Sequence, residues 1–156
     1  MIRIVVPGVG EVEIAHLLLD VNGTLTTDGA LISGVEQRIA RLHNALGIML
    51  VTADTRGTAG ALAERLGIAV QRVPAGYEAQ AKADLARSLG ADHVAAIGNG
   101  ANDALMLKAA RIGIAVLGNE GLAVSALQSA DLVAATIVDA LDLLLDPVRL
   151  LSTLRH

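Results

Sequence analysis

Four side chains that could share one reaction stand far apart in the chain: Asp20, Thr52, Lys82 and Asp103. Asp20 follows the apolar run Leu17-Leu18-Leu19, and Thr52 follows Met49-Leu50-Val51. Asp103 closes the segment Gly98-Asn99-Gly100-Ala101-Asn102-Asp103, which follows Val94-Ala95-Ala96-Ile97. Such runs predict buried strands, and the carboxyl ends of strands in open α/β sheets are where ligands bind. Lys82, one of only two lysines beside Lys108, falls between the second and third of these segments. Phosphoryl transfer through an acyl phosphate needs groups of these types. A carboxylate must attack phosphorus and become an aspartyl phosphate. A hard cation must offset repulsion between two anions, and Mg²⁺ prefers a few carboxylates plus waters and substrate oxygens. A hydroxyl and an amine must hold the phosphoryl oxygens as charge shifts. Asp20, Asp103, Thr52 and Lys82 fit those roles in order. Asn99 offers a metal a neutral oxygen, and the backbone carbonyl of Asn22 offers another.

Each residue also has an ordinary reading. Thr52 alone commonly caps a following helix, and Asp54 is best read as such a cap. Asn99 and Asn102 are as readily caps as ligands, and Gly98 to Gly100 alone could be a plain turn. A helix lysine usually faces solvent. His16, His43, His93 and His156 are scattered without metal-ligand spacing. Only the joint order and strand-end placement of the set lift it above these readings.

The elements that would position the set follow from periodicity. Residues 3–6 and 11–15 read as a hairpin joined at Pro7-Gly8-Val9-Gly10. Residues 16–19, 48–51, 68–73, 93–97, 112–116 and 132–134 read as strands. The stretches 35–46, 55–66, 77–89, 101–110, 121–128, 136–145 and 147–154 read as helices, with Gly47, Gly67 and Gly90 as stops. Segment 26–34 is polar and reads as a loop or small flap. Strands alternate with helices from Leu17 onward, and the central strands are apolar throughout, the pattern of a parallel sheet covered on both faces. Connections are too short for an inserted second domain.

Composition narrows the function classes. The chain has 156 residues, 53% of them apolar, and Tyr77 is its only aromatic residue. Stacking on a cofactor or on bases is therefore not expected. A net charge of −4 argues against a polyanion-binding face. Without cysteine there is neither a disulfide nor a thiolate metal site. No basic leader with an apolar core and no membrane-length run is visible, so a cytoplasmic protein is expected.

Asp20-Val21-Asn22-Gly23-Thr24 resembles the Asp-x-Asp-Gly-Thr motif of the haloacid dehalogenase (HAD) superfamily, and the resemblance extends from Leu17 to about Leu145. Within it, the chain is similar to small soluble relatives of the P-type ATPase phosphorylation domain. Gly23-Thr24-Leu25-Thr26 resembles the pumps' Gly-Thr-Leu-Thr, Thr52-Ala53-Asp54 their Thr-Gly-Asp, and Gly98 to Asp103 their Gly-Asp-Gly-x-Asn-Asp. The resemblance implies an α/β, Rossmann-like parallel sheet with helices on both faces and no cap domain, to which the sequence pattern adds the short N-terminal β-hairpin, and the length predicts one domain over 1–156. The resemblance also implies a Mg²⁺-dependent hydrolase acting on a small phosphorylated substrate or phosphoryl donor, while the composition leaves neither nucleic acid nor membrane as an expected partner. The catalytic set is Asp20, Asn22, Thr52 and Lys82. Gly23, Thr24, Thr52, Ala53 and Lys82 bind substrate, and Asp20, Asn22, Asn99 and Asp103 serve the metal. Two positions depart from the pattern. Asn22 replaces the Asp that protonates the leaving group and activates water, and Asn99 replaces a metal-site Asp. Slow turnover follows from the first, and the alternative is a phosphate-binding or regulatory module with little turnover. The open site suits either a large substrate or closure by a second copy of the chain.

Overall fold

The computed structural model describes residues 1–54 and 56–156. The chain opens with β1 (Ile2–Val6) and β2 (Gly10–Ile14), an antiparallel hairpin with Ile2 opposite Ile14. Alternate residues of β1 are buried, so Ile2, Ile4 and Val6 face the core. The hairpin is a sheet of its own and does not join the main one.

That main sheet has six strands, all paired in parallel. They are β3 (His16–Leu19), β6 (Gly47–Thr52), β7 (Ala69–Arg72), β8 (Val94–Gly98), β9 (Ile112–Val116) and β10 (Leu132–Ala134). Their order across the sheet is β10-β9-β8-β3-β6-β7. The chain runs outward from β3 through β6 to β7, then returns to β8 on the other side of β3. Apart from His16 at the start of β3 and Thr52 at the end of β6, the central strands β3, β6 and β8 carry no polar side chain, because both faces are covered. Leu17 and Leu19 pack into one core cluster with Leu50, Ile97 and Ile114, while Leu18 packs into the other with Val51, Ala96 and Met106.

Segment 26–34 forms a flap: β4 (Thr26–Thr27) and β5 (Ala30–Leu31) pair antiparallel around Asp28 and Gly29, both at positive φ. The helices are α1 (Val35–Leu42), α2 (Thr58–Leu66), α3 (Glu78–Ser88), α4 (Ala104–Ala109), α5 (Val124–Ser129), α6 (Ile137–Leu145) and α7 (Val148–Leu154). Helix α1 stops four residues before the expected end. Residues 43–46 are a turn, which keeps Leu46 buried and so preserves the apolar spacing without the helix. Helix α2 begins at Thr58 rather than 55, a residue outside those described. Helix α5 begins three residues late, because Gly121 sits at φ +87 and the Ala123 N–H donates to the Asn99 carbonyl at 2.9 Å. Residues 101–103 form a single 3-10 turn ahead of α4. Among the described residues no helix is long and apolar enough to cross a membrane.

Candidate active site

β3, β6 and β8 end side by side, and the strand order reverses between β3 and β8, where open α/β sheets hold their ligands. Asp20 is the first residue past β3, and its N–H donates to the Ile97 carbonyl at 3.0 Å. Gly23 then turns the chain at φ +76, where a Cβ would stand 2.6 Å from Asn99 Nδ2. Glycine alone permits both that conformation and that approach.

Lys82, on α3, reaches the same strand ends. Its Nζ lies 2.8 Å from Asp20 Oδ1 and 2.7 Å from Asp103 Oδ1, and the side chain is 1% exposed. Burial works against its charge, but the two carboxylates outweigh burial and raise its pKa. Asp20 is pushed up to about 6, by burial first and the Asp103 charge second, with Lys82 and Thr24 opposing. It is therefore mostly ionised at neutral pH. Asp103 is fully buried. Its Oδ2 accepts the N–H groups of Asn99 at 3.1 Å and Gly100 at 2.9 Å, so it closes its own loop. A Cβ at Gly98 would stand 2.5 Å from the Asp103 Cγ, so that close approach also requires glycine.

The Thr24 hydroxyl lies 3.0 Å from both Asp20 Oδ2 and Asn99 Oδ1 and can donate to one at a time. Asn99 Nδ2 donates to the Gly121 carbonyl at 3.2 Å, which turns Oδ1 toward Thr24 and Asp20. The Thr52 hydroxyl accepts the Asp54 N–H at 3.1 Å and keeps its own proton for a ligand.

A cavity of about 410 Å³ opens over these groups, lined by Asp20, Asn22, Thr52, Ala53, Lys82 and Asn99. Three expected site residues do not line it. Thr24 and Asp103 are buried, and their side chains orient Asp20, Asn99 and Lys82. Gly23 is buried too and shapes the loop. Asp54 takes the capping role expected of it. Its Oδ1 accepts the Arg56 N–H at 2.8 Å, and its Oδ2 accepts the Thr58 hydroxyl at 2.5 Å and the Ala59 N–H at 3.0 Å. Those bonds, Thr58's first, hold its pKa down to about 2, so it cannot carry a proton at neutral pH. Arg56 also lines the cavity and was not singled out from sequence. The available signal was its place four residues past a strand end that already carried Thr52.

The donors suit a hard cation that keeps most of its own shell. Asp20 contributes a carboxylate facing the cavity, and Asn99 Oδ1 is turned toward it. Among the described residues no three His, Cys, Asp or Glu side chains cluster to hold a metal unaided. Mg²⁺ tolerates this, because waters and substrate oxygens complete its octahedron.

The chain is similar to several known proteins. A family model described as haloacid dehalogenase-like hydrolase matches residues 10–111. A protein of Methanocaldococcus jannaschii, described as uncharacterized, is 52% identical over 62 residues, 40% of this chain and 67% of that one. The fold is shared with a 3-deoxy-D-manno-octulosonate 8-phosphate phosphatase of Moraxella catarrhalis, solved with magnesium, phosphate and a KDO molecule. That structure is 19% identical, with 89% of this chain and 90% of that one covered and a TM-score of 0.68. A zinc-transporting PIB-type ATPase in its E2.Pi state is 26% identical over 79% of this chain, with a TM-score of 0.65. The match covers 20% of that pump.

Proposed function

The chain belongs to the haloacid dehalogenase-like hydrolase family, and from that premise we propose that it is a Mg²⁺-dependent phosphatase working through an aspartyl phosphate on Asp20. One observation carries the reading: Asp20, Thr52, Lys82 and Asn99, from three strand ends and one helix, face a single cavity. An Asp20 oxygen bonds to phosphorus as the bridging P–O bond to the leaving group breaks, and the departing oxygen takes a proton from water. Water then adds to the same phosphorus, the bond to Asp20 breaks, and inorganic phosphate and a proton leave. The Thr52 hydroxyl and Lys82 ammonium hold the phosphoryl oxygens. Mg²⁺ held by Asp20 and Asn99, with the Asn22 carbonyl and Asp103 in support, would offset repulsion between the carboxylate and the phosphoryl group.

The substrate class is a small phosphorylated compound or phosphoryl donor, in keeping with the octulosonate phosphatase likeness. The pump likeness supports the narrower P-type ATPase-like grouping. A single domain without a cap, in the cytoplasm and open to closure by a second copy, belongs to the same reading. A second reading, a phosphate-binding or regulatory module with little turnover, is favoured by Asn22. Among the described residues that line the cavity no other acid takes its place, since Asp54 stays ionised.

The test is release of phosphate from p-nitrophenyl phosphate and acetyl phosphate with Mg²⁺. Activity is expected to vanish with EDTA and in Asp20→Asn. Activity that survives either change defeats the phosphatase reading, and a phosphoenzyme that forms without release selects the second one.

A further inference from the structure

A second cavity, of about 510 Å³, lies between the flap and α2. Its walls are mixed. Leu31 of the flap and Leu62 of α2 are apolar, and Arg56 and Arg65 bring cationic heads. Asn22, Asp54 and Arg56 line this cavity and the catalytic one alike, so the two chambers share one boundary. A space of this size, mostly apolar with a few polar groups, is the usual form of a small-molecule site.

The two arginines are not equivalent. Arg65 pairs with Glu36 at 2.8 Å. Arg56 forms no ion pair among the described residues, and its side chain is exposed. Its N–H is nonetheless held, because Asp54 Oδ1 accepts it at 2.8 Å. The capping carboxylate therefore holds the backbone N–H of Arg56, whose guanidinium is unpaired among the described residues, at the boundary of the two chambers. A guanidinium in that setting suits a carboxylate or phosphate, which it can meet with two parallel hydrogen bonds.

We propose that the second cavity receives the leaving group of the substrate, and that Arg56 selects leaving groups bearing an anionic substituent beyond an apolar segment. The inference rests on the phosphatase reading above and gives it a substrate class: phosphate esters whose alcohol carries a carboxylate or a second phosphate. Leu31 and Leu62 cover the apolar part of the leaving group. Asn22 stands where the scissile oxygen passes from one chamber to the other.

Three donors separate the claims. Acetyl phosphate has a leaving group too small to fill the second chamber, phenyl phosphate fills it without charge, and 4-carboxyphenyl phosphate adds the anion. The wild type should favour carboxyphenyl over phenyl phosphate in kcat/KM by about tenfold, the scale of one charge-assisted hydrogen bond. Arg56→Ala should bring that ratio close to one, and Arg56→Lys should restore part of it. Leu62→Trp, or Leu31→Trp should the first variant fail to fold, should depress both aryl donors relative to acetyl phosphate. A carboxyphenyl preference unchanged in Arg56→Ala overturns the role of Arg56. An equal loss on all three donors in the tryptophan variants overturns the leaving-group chamber. Both outcomes leave Asp20-dependent hydrolysis standing. Absence of any Asp20-dependent hydrolysis of the three donors instead removes the phosphatase reading, and this inference with it.

Discussion

Lys82 donates to Asp103 Oδ1 at 2.7 Å, in a pair whose side chains are 1% and 0% exposed. The same nitrogen meets Asp20, so one buried ammonium stands between two buried carboxylates. Such a cluster is a weak source of net stability, because desolvating the charges offsets much of their attraction. Removing its only cation is another matter.

Lys82→Met should destabilise the metal-free protein by about 3–5 kcal/mol at pH 7, the usual cost of leaving a buried charge unpaired. The loss should shrink in acid, where Asp20, raised to about 6, protonates, and in the double variant Lys82→Met/Asp20→Asn. Urea unfolding at pH 7 and pH 5 measures both. A loss below about 1 kcal/mol at pH 7 would mean that the cluster is wetter than its burial indicates.

Asp54 sets a different pH dependence. Its folded pKa, about 2, lies below the ordinary carboxylate value, so its contribution to stability is fully present above pH 4. It is lost as pH falls from about 4 through about 2. Wild type should therefore exceed Asp54→Ala in melting temperature at pH 5 and converge with it toward pH 2. Parallel curves over that range would show that the Thr58, Arg56 and Ala59 bonds do not depend on the charge.

The strand ends were legible because a parallel sheet buried on both faces writes its strands as apolar runs. What leaves each run is then placed at one edge, which is how Asp20, Thr52 and Asn99 could be grouped. Which side chains face the cavity was not legible. Thr24 and Asp103 carry the same chemistry as their neighbours, and only the turn at Gly23 and the tight loop at Gly98 decide that they point inward. The end of α1 was misplaced for a related reason: a turn at 43–46 buries Leu46 as well as another helical turn would. Arg56 had no periodic signal, since it sits in a bend ahead of α2 and its neighbourhood is set by the flap, 25 or more residues earlier in the chain.

Asn99→Asp should tighten Mg²⁺ binding by roughly tenfold or more, because affinity at oxygen sites follows ligand charge. The wild type turns only one carboxylate of the cluster, Asp20, to the cavity, while Asp103 is spent on Lys82 and two backbone N–H groups. The added charge should also lower the stability of the metal-free protein, and Mg²⁺ should recover it. Calorimetric titration with Mg²⁺ and melting with and without it check the two halves. An affinity equal to the wild type's would show that position 99 does not face the metal.

Asn22 is the position that should govern turnover. It lines both chambers, at the point where a leaving oxygen must pick up its proton, and an amide does not titrate near neutral pH. Protonation then falls to water, so acyl phosphates, whose leaving groups need little help, should be hydrolysed far faster than alkyl phosphates. Asn22→Asp places a carboxyl at that boundary and should raise alkyl-phosphate turnover by up to ~10²-fold, the lower range of general acid–base catalysis. It should also shorten the life of the aspartyl phosphate, because the same group activates the attacking water. Steady-state kinetics on ethyl phosphate and acetyl phosphate, with acid-quench trapping of the phosphoenzyme, measures both effects. Asp54 cannot be the hidden acid, since three hydrogen bonds hold it ionised. If the variant folds and binds Mg²⁺ yet neither quantity moves, the flap residue Asp28 becomes the next group to replace, and Asn22 is not what limits the reaction.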